Sequence, residues 1–193
     1  MTAVIALDFL IAVGTIFSIV YIGCKETFPR IIQYFTIQSN ILSAVVSLVC
    51  AIWSLISVLP YWMLIVKFSA TCAVSVTFVT VIVYLGPRYK NWKFLLVSET
   101  NFWLHVVGPL LAVATLMLRG PVDLPFAMVF TGLVPVILYG MLYTKKVVIN
   151  PPERRWEDLY GFNSGVNWKL STIAMFAGTF AVSLALRTLL ACL

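Results

Sequence analysis

Apolar residues arrive in six long runs, approximately Ala3–Gly23, Gln38–Val58, Trp62–Leu85, Thr100–Leu118, Pro125–Thr144 and Lys169–Cys192. A helix needs about 20 predominantly apolar residues to cross the hydrocarbon core of a bilayer, and each run is close to that length. The pattern predicts an all-α, polytopic membrane protein: six transmembrane helices in one bundle, forming a single domain over residues 1–193. No strand-like alternation competes with it, and no repeat period of about 20–50 residues is visible. The first run lacks a basic leader, carries Asp8 and is followed by no small-x-small cleavage site, so a retained span is expected rather than a signal peptide. With 62% hydrophobic and 10% charged residues, and a mean hydropathy of +1.02, the composition excludes a water-soluble globular chain.

Polar residues inside these runs are the informative ones, because an unpaired hydroxyl or amide in hydrocarbon is costly. The second run is headed by Tyr34-Phe35-Thr36-Ile37-Gln38-Ser39-Asn40, and Thr36, Asn40, Ser43 and Ser47 fall on one helical face. Such a face is expected to look into the bundle or a wetted cavity. The fourth run is headed by Glu99-Thr100-Asn101-Phe102-Trp103-Leu104-His105, with the only histidine of the chain. Asn101 lies one turn before His105; Gly108, Ala112 and Thr115 extend a small or polar face, and Pro109 can kink the helix beside it. A solitary histidine with no cysteine nearby cannot assemble the usual zinc, haem or di-iron ligand sets, so no metal and no cofactor are expected. Imidazole does titrate near neutrality and can take a proton from a hydroxyl. The second and fourth runs start on the same side of the membrane, which puts Thr36 and His105 in one leaflet and predicts a polar cavity between those two helices. Two plainer roles stand beside this one: Thr36 as a helix N-cap, and His105 as a hydrogen-bonded packing residue.

Charges inside the runs need partners. Asp8, Lys67 and Arg187 each lie about five residues from the same membrane face at a rise of about 1.5 Å per residue, and are expected to form a structural charge cluster in which Lys67 or Arg187 neutralises Asp8. The Ser, Thr and Ala residues of the third run are expected to serve close helix packing.

The net charge of +6 is distributed asymmetrically. Lys25, Arg30, Arg88, Lys90, Lys93, Lys145, Lys146, Arg154, Arg155 and Lys169 occupy the first, third and fifth loops and their flanks, against Arg119 alone on the other side. The positive-inside rule places the odd-numbered loops in the cytoplasm and both termini outside, in the cell membrane if the chain is prokaryotic. The basic loops then meet anionic headgroups, and nothing suggests a nucleic-acid partner, since the basic residues show no aromatic interleaving. The fifth loop ends in Leu159-Tyr160-Gly161-Phe162-Asn163-Ser164-Gly165, whose Gly and Asn mark turns; Tyr160, Phe162 and Asn163 are candidates for a lid. Cys24, Cys50, Cys72 and Cys192 show no C-x-x-C spacing, and there is no P-loop, dinucleotide fingerprint or G-x-S-x-G elbow.

Tyr34 to Asn40 at the head of the second span, Asn101-x-x-x-His105 followed by Gly108-Pro109-Leu110-Leu111, and a Tyr/Gly-rich loop before the last span together carry a resemblance. The chain resembles the androgen-induced-protein family of intramembrane threonine hydrolases, above all its uncharacterised bacterial six-helix relatives. The likeness extends over the six-helix layout, and its specific part is about fifteen residues. The loop Leu159–Gly165 departs from the family's Tyr-Pro-Tyr-like run. The resemblance implies hydrolysis of fatty-acid esters of hydroxy fatty acids, or of membrane lipid esters more broadly, with Thr36 as nucleophile and His105 as base. In that reading Asn101 holds the histidine ring, and Asn40, Gln38 or Ser39, with the first-turn amides of the second helix, serve the oxyanion. A non-catalytic lipid- or small-molecule-binding membrane protein and a transporter remain alternatives, although the paired broken helices of inverted-repeat carriers are missing. Oligomeric state has no signature in the sequence.

Overall fold

The computed structural model describes residues 2–120, 124–162 and 167–192. Among them are six helices long and apolar enough to cross a membrane: α1 (Thr2–Lys25), α2 (Phe35–Ile56), α3 (Tyr61–Tyr89), α4 (Glu99–Met117), α5 (Phe126–Ile149) and α6 (Trp168–Ala191). No strand occurs among the described residues. This all-α six-helix bundle is the layout of an integral membrane protein.

α3 is the axis of the bundle. Ala70 to Thr77 are all buried, and their mostly small side chains let neighbouring helices approach closely, as is usual between helices in lipid. Ser69 Oγ donates to the Thr131 carbonyl of α5 at 2.8 Å, and Ser183 Oγ of α6 donates to Val129 of α5 at 2.8 Å.

Helix boundaries differ from the hydropathy reading where backbone chemistry overrides composition. α2 begins at Phe35 rather than Gln38, because the short helix Phe28–Ile31, started by Pro29, delivers an extended Tyr34 as N-cap. Thr36 is therefore inside the first turn and does not cap the helix, and Tyr34 makes no side-chain cap bond. α3 continues through a π-turn at Val81–Leu85 as far as Tyr89. α5 opens as a 3-10 helix, Phe126–Leu133, and runs past Thr144 through another π-turn, Lys145–Ile149.

Far from Thr36 the bundle is pinned by charge. Asp8 is fully buried, and Lys67 Nζ lies 2.7 Å from its Oδ1 and 2.7 Å from Ser47 Oγ. The second carboxylate oxygen is met by the Arg119 guanidinium, which also reaches Ser54 Oγ at 3.4 Å. Arg187, expected to share this cluster, instead donates from Nε to the Leu124 carbonyl at 3.1 Å. Arg119 stands just beyond α4 and folds its side chain inward, so each carboxylate oxygen has a cationic partner without Arg187. Among the described residues four elements thus converge on one acid: α1, α2, α3 and the end of α4.

Candidate active site

The site begins with a register shift in α4. Residues Trp103–Val107 form a π-turn in which the Gly108 amide donates to Trp103 rather than to Leu104. Pro109 follows and has no N–H to give. The Leu104 carbonyl that an ordinary α-turn would have satisfied accepts from Asn40 Nδ2 of α2 at 3.1 Å. The same amide nitrogen donates to the Thr36 carbonyl at 2.8 Å. Asn40 therefore clamps α2 to α4 and has no hydrogen left for an oxyanion, contrary to expectation. Gly108 permits the clamp, since a Cβ there would stand 3.2 Å from Asn40 Oδ1. Single-turn π-bulges are frequent at functional sites, and this one carries His105.

The neighbouring Trp103 fixes α4 against α1. Its Nε1 donates to Thr15 Oγ1 at 3.2 Å, and its ring lies over Gly14, where a Cβ would come within 2.0 Å of it.

His105 is buried with its ring held at both nitrogens. Nδ1 lies 2.6 Å from the Leu95 carbonyl. A carbonyl only accepts, so Nδ1 carries a proton, and in the neutral ring Nε2 presents a lone pair. That lone pair faces Thr36 Oγ1 at 3.4 Å. Leu95 comes from the short helix Trp92–Leu96, which is capped by Asn91 Oδ1 accepting from Phe94 N at 3.3 Å. So short a helix leaves its last carbonyls unsatisfied, and one of them orients the histidine. Asn101, expected in that role, donates to the Phe94 carbonyl at 3.0 Å and does not touch the ring.

The other supporting residues also have different duties from those expected. Gln38 Nε2 donates to Ile32 at 2.8 Å and braces the turn before α2. Ser39 Oγ lies 2.8 Å from Thr77 Oγ1 and 3.2 Å from the Thr36 carbonyl, tying α2 to α3. Asn40, Gln38 and Ser39 thus brace the start of α2 around Thr36.

On its other side Thr36 borders a cavity of about 460 Å³. The cavity is not the polar space expected between α2 and α4, because Ile31, Ile37 and Leu104 fill that seam. It lies instead among α3, α5 and α6, with Phe35 and Thr36 at one end, and its walls are largely apolar. His105 contributes nothing to the wall, so Thr36 stands between the base and the cavity.

The fifth loop covers the cavity at its Thr36 end. Tyr160 and Phe162 line it, while Asn163 lies outside the described residues. The loop is moored by bonds that sequence gave no sign of: Tyr84 Oη to the Tyr160 carbonyl at 2.7 Å, Phe162 N to Asp158 Oδ1 at 2.7 Å, and Tyr143 Oη to the same oxygen at 3.2 Å. Tyr139, whose ring centroid is 5.0 Å from that of Phe35, donates to the Gln33 carbonyl at 2.9 Å. Burial pushes the Tyr160 phenol up to about 12, so this side chain is uncharged at neutral pH.

Among the described residues no group of three or more His, Cys, Asp or Glu side chains is placed to hold a metal ion. The arrangement offers a hydroxyl, an imidazole nitrogen beside it and an apolar chamber. Compared with known proteins, the chain matches no protein-family profile, no curated sequence and no solved structure.

Proposed function

We propose that the chain is an intramembrane hydrolase of lipid esters, in which Thr36 is the nucleophile and His105 the general base. The observation that carries this reading is the alignment of His105 Nε2 on Thr36 Oγ1 at 3.4 Å, with Nδ1 held by Leu95, at the end of an apolar chamber. A nucleophile, a base and a group that orients the base is the general pattern of an activated hydroxyl, and catalytic hydrogen bonds commonly tighten only once substrate is bound.

In the reaction Thr36 Oγ1 attacks the ester carbonyl while its proton passes to His105 Nε2. Collapse of the tetrahedral adduct breaks the carbon–oxygen bond to the alcohol, which leaves with the proton from Nε2. The acyl group stays on Thr36. Water, losing a proton to the same nitrogen, attacks the acyl carbon, and the adduct releases the acid and returns the proton to Thr36. Of the first-turn amides of α2, those of Ile37 and Gln38 donate to the Tyr34 carbonyl, which leaves the Thr36 amide as the candidate donor to the developing oxyanion.

Resemblance to the intramembrane threonine hydrolases supports the same pair of residues, and the cavity's limits favour hydrolysis over transport. Its walls stop at Val182 on α6, and beyond them Phe68, Cys72, Leu116, Leu124, Leu186 and Leu190 pack into a continuous core. The excess of Lys and Arg in the odd-numbered loops supports putting the Thr36 end of the bundle at the cytoplasmic leaflet. The test is reaction of the purified protein with a fluorophosphonate probe. Labelling that disappears in Thr36→Ala is expected, and labelling that survives there overturns the assignment.

A further inference from the structure

The cavity has a closed end and an open side. The fifth loop closes the end towards the polar interface, through Tyr160, Phe162 and the bonds of Tyr84 and Asp158. On the flank between α3 and α6 the wall residues are themselves exposed: Val83 is 69% and Leu170 60% exposed, and Ala174 and Gly178 are exposed as well. A residue that both lines a cavity and shows on the outer surface marks an opening, and in a bilayer that surface faces acyl chains.

The α6 edge of the opening is set by small side chains. A Cβ at Gly178 would meet no atom within 4 Å, so the space beside it is empty rather than packed. Along α6 the wall runs from Leu170 to Val182, which at about 1.5 Å per residue is roughly 18 Å. One leaflet contributes half of a hydrocarbon core about 30 Å thick, so the chamber matches the chains of a single leaflet in length. Its volume of about 460 Å³ is within the usual range of about 300–1,000 Å³ for ligand pockets.

We propose that this cavity is an acyl-chain subsite loaded sideways from the bilayer, the chain passing between Val83 of α3 and Gly178 of α6 to bring its ester to Thr36. The choice of an ester rests on the hydrolase reading; the chain subsite rests on the cavity itself. Substrates are then long-chain lipids already dissolved in the membrane, and residue 178 sets which chains enter.

Two measurements test this on the full chain in phosphatidylcholine vesicles. In the first, a palmitic acid methyl ester bearing a diazirine on its chain is photolysed with the Thr36→Ala protein, with and without Gly178→Leu. Label is expected on Val76 and Tyr139, which line the cavity but are buried, and is expected to fall with Gly178→Leu while Ala177→Leu, off the cavity wall, leaves it intact. Absence of label at Val76 and Tyr139, or label undiminished by Gly178→Leu, overturns the proposal. In the second, Gly178→Leu is expected to reduce hydrolysis of a palmitoyl ester about tenfold more than hydrolysis of the corresponding acetyl ester, on the scale of pocket discrimination by chain size. Equal reduction of the two overturns entry by this route. If the unsubstituted protein hydrolyses neither ester while the photolabel follows the expected pattern, the hydrolase reading fails and the chain subsite stands.

Discussion

His105 Nδ1 lies 2.6 Å from the carbonyl oxygen of Leu95, and this single contact decides which nitrogen faces Thr36. A backbone carbonyl cannot exchange donor for acceptor, so the ring is fixed in one tautomer at neutral pH. Because His105 is the only histidine in the chain, nitrogen-15 NMR of histidine-labelled protein reads it without assignment. A protonated Nδ1 and a bare Nε2 are expected; the reverse tautomer contradicts the proposed base. Asn101→Ala is expected to leave the spectrum unchanged, since Asn101 bonds to Phe94 and not to the ring.

The clamp between α2 and α4 makes a separate prediction. Asn40→Leu leaves the Leu104 carbonyl without its donor, at a cost of about 1–3 kcal/mol for a buried unsatisfied group, while the Thr36 carbonyl keeps its bond from Ser39 Oγ. Thermal unfolding in detergent should drop accordingly, and hydrolysis should fall further than folding, because Thr36 loses its register against His105. Activity that simply tracks the folded fraction would show that Asn40 does no more than stabilise.

Asp8 anchors the opposite half of the bundle. Removing one partner from a buried ion pair typically costs about 3–5 kcal/mol, and Asp8→Asn strands two cations, Lys67 and Arg119. The variant is expected to melt well below the parent, with part of the loss recovered by adding Lys67→Met. Arg187→Ala should be milder, since Arg187 only reaches the Leu124 carbonyl. Equal effects of Arg187→Ala and Asp8→Asn would place the essential charge elsewhere.

Sidedness is open to direct labelling in intact cells. With the odd-numbered loops cytoplasmic, Lys90→Cys is expected to resist an impermeant thiol reagent and Asp123→Cys to react, against a background in which Cys24 and Cys192 are removed because both native thiols are exposed. Reaction at position 90 alone would invert the topology.

Much of this architecture is legible in the sequence because lipid makes polar residues conspicuous. Thr36, His105, Asp8 and Lys67 stand out as polar groups in apolar runs, and equal depth along neighbouring spans is enough to suggest the pairs at 3.4 Å and 2.7 Å. Depth does not give azimuth, however, so it could not exclude Arg187, and Arg119, counted among the loop charges, meets the acid only because its side chain folds inward. Roles taken by backbone carbonyls leave no mark on residue type, which is why Asn101 was the natural candidate for what Leu95 does. The best clue to Leu95 was Asn91, a capping residue at the start of an otherwise unremarked short helix. The cavity is illegible in the sequence for a different reason. Its walls on α3, α5 and α6 are mostly valines, threonines and other small or apolar residues, and nothing in those residue types separates a wall from a core until the helices are packed.

Hydrolysis of a long-chain ester by Thr36→Ser, Thr36→Asp and His105→Ala, each first shown to fold, bears most directly on the central claim. Thr36 lies within the first turn of α2 and is not its cap, so none of the three substitutions removes a capping bond. The serine variant keeps the attacking hydroxyl and is expected to retain activity. The aspartate variant is expected to lose it entirely, and His105→Ala to lose about 10²–10⁴-fold, the usual contribution of a positioned general base. Turnover persisting in Thr36→Asp, or undiminished in His105→Ala, would contradict the assignment of this pair.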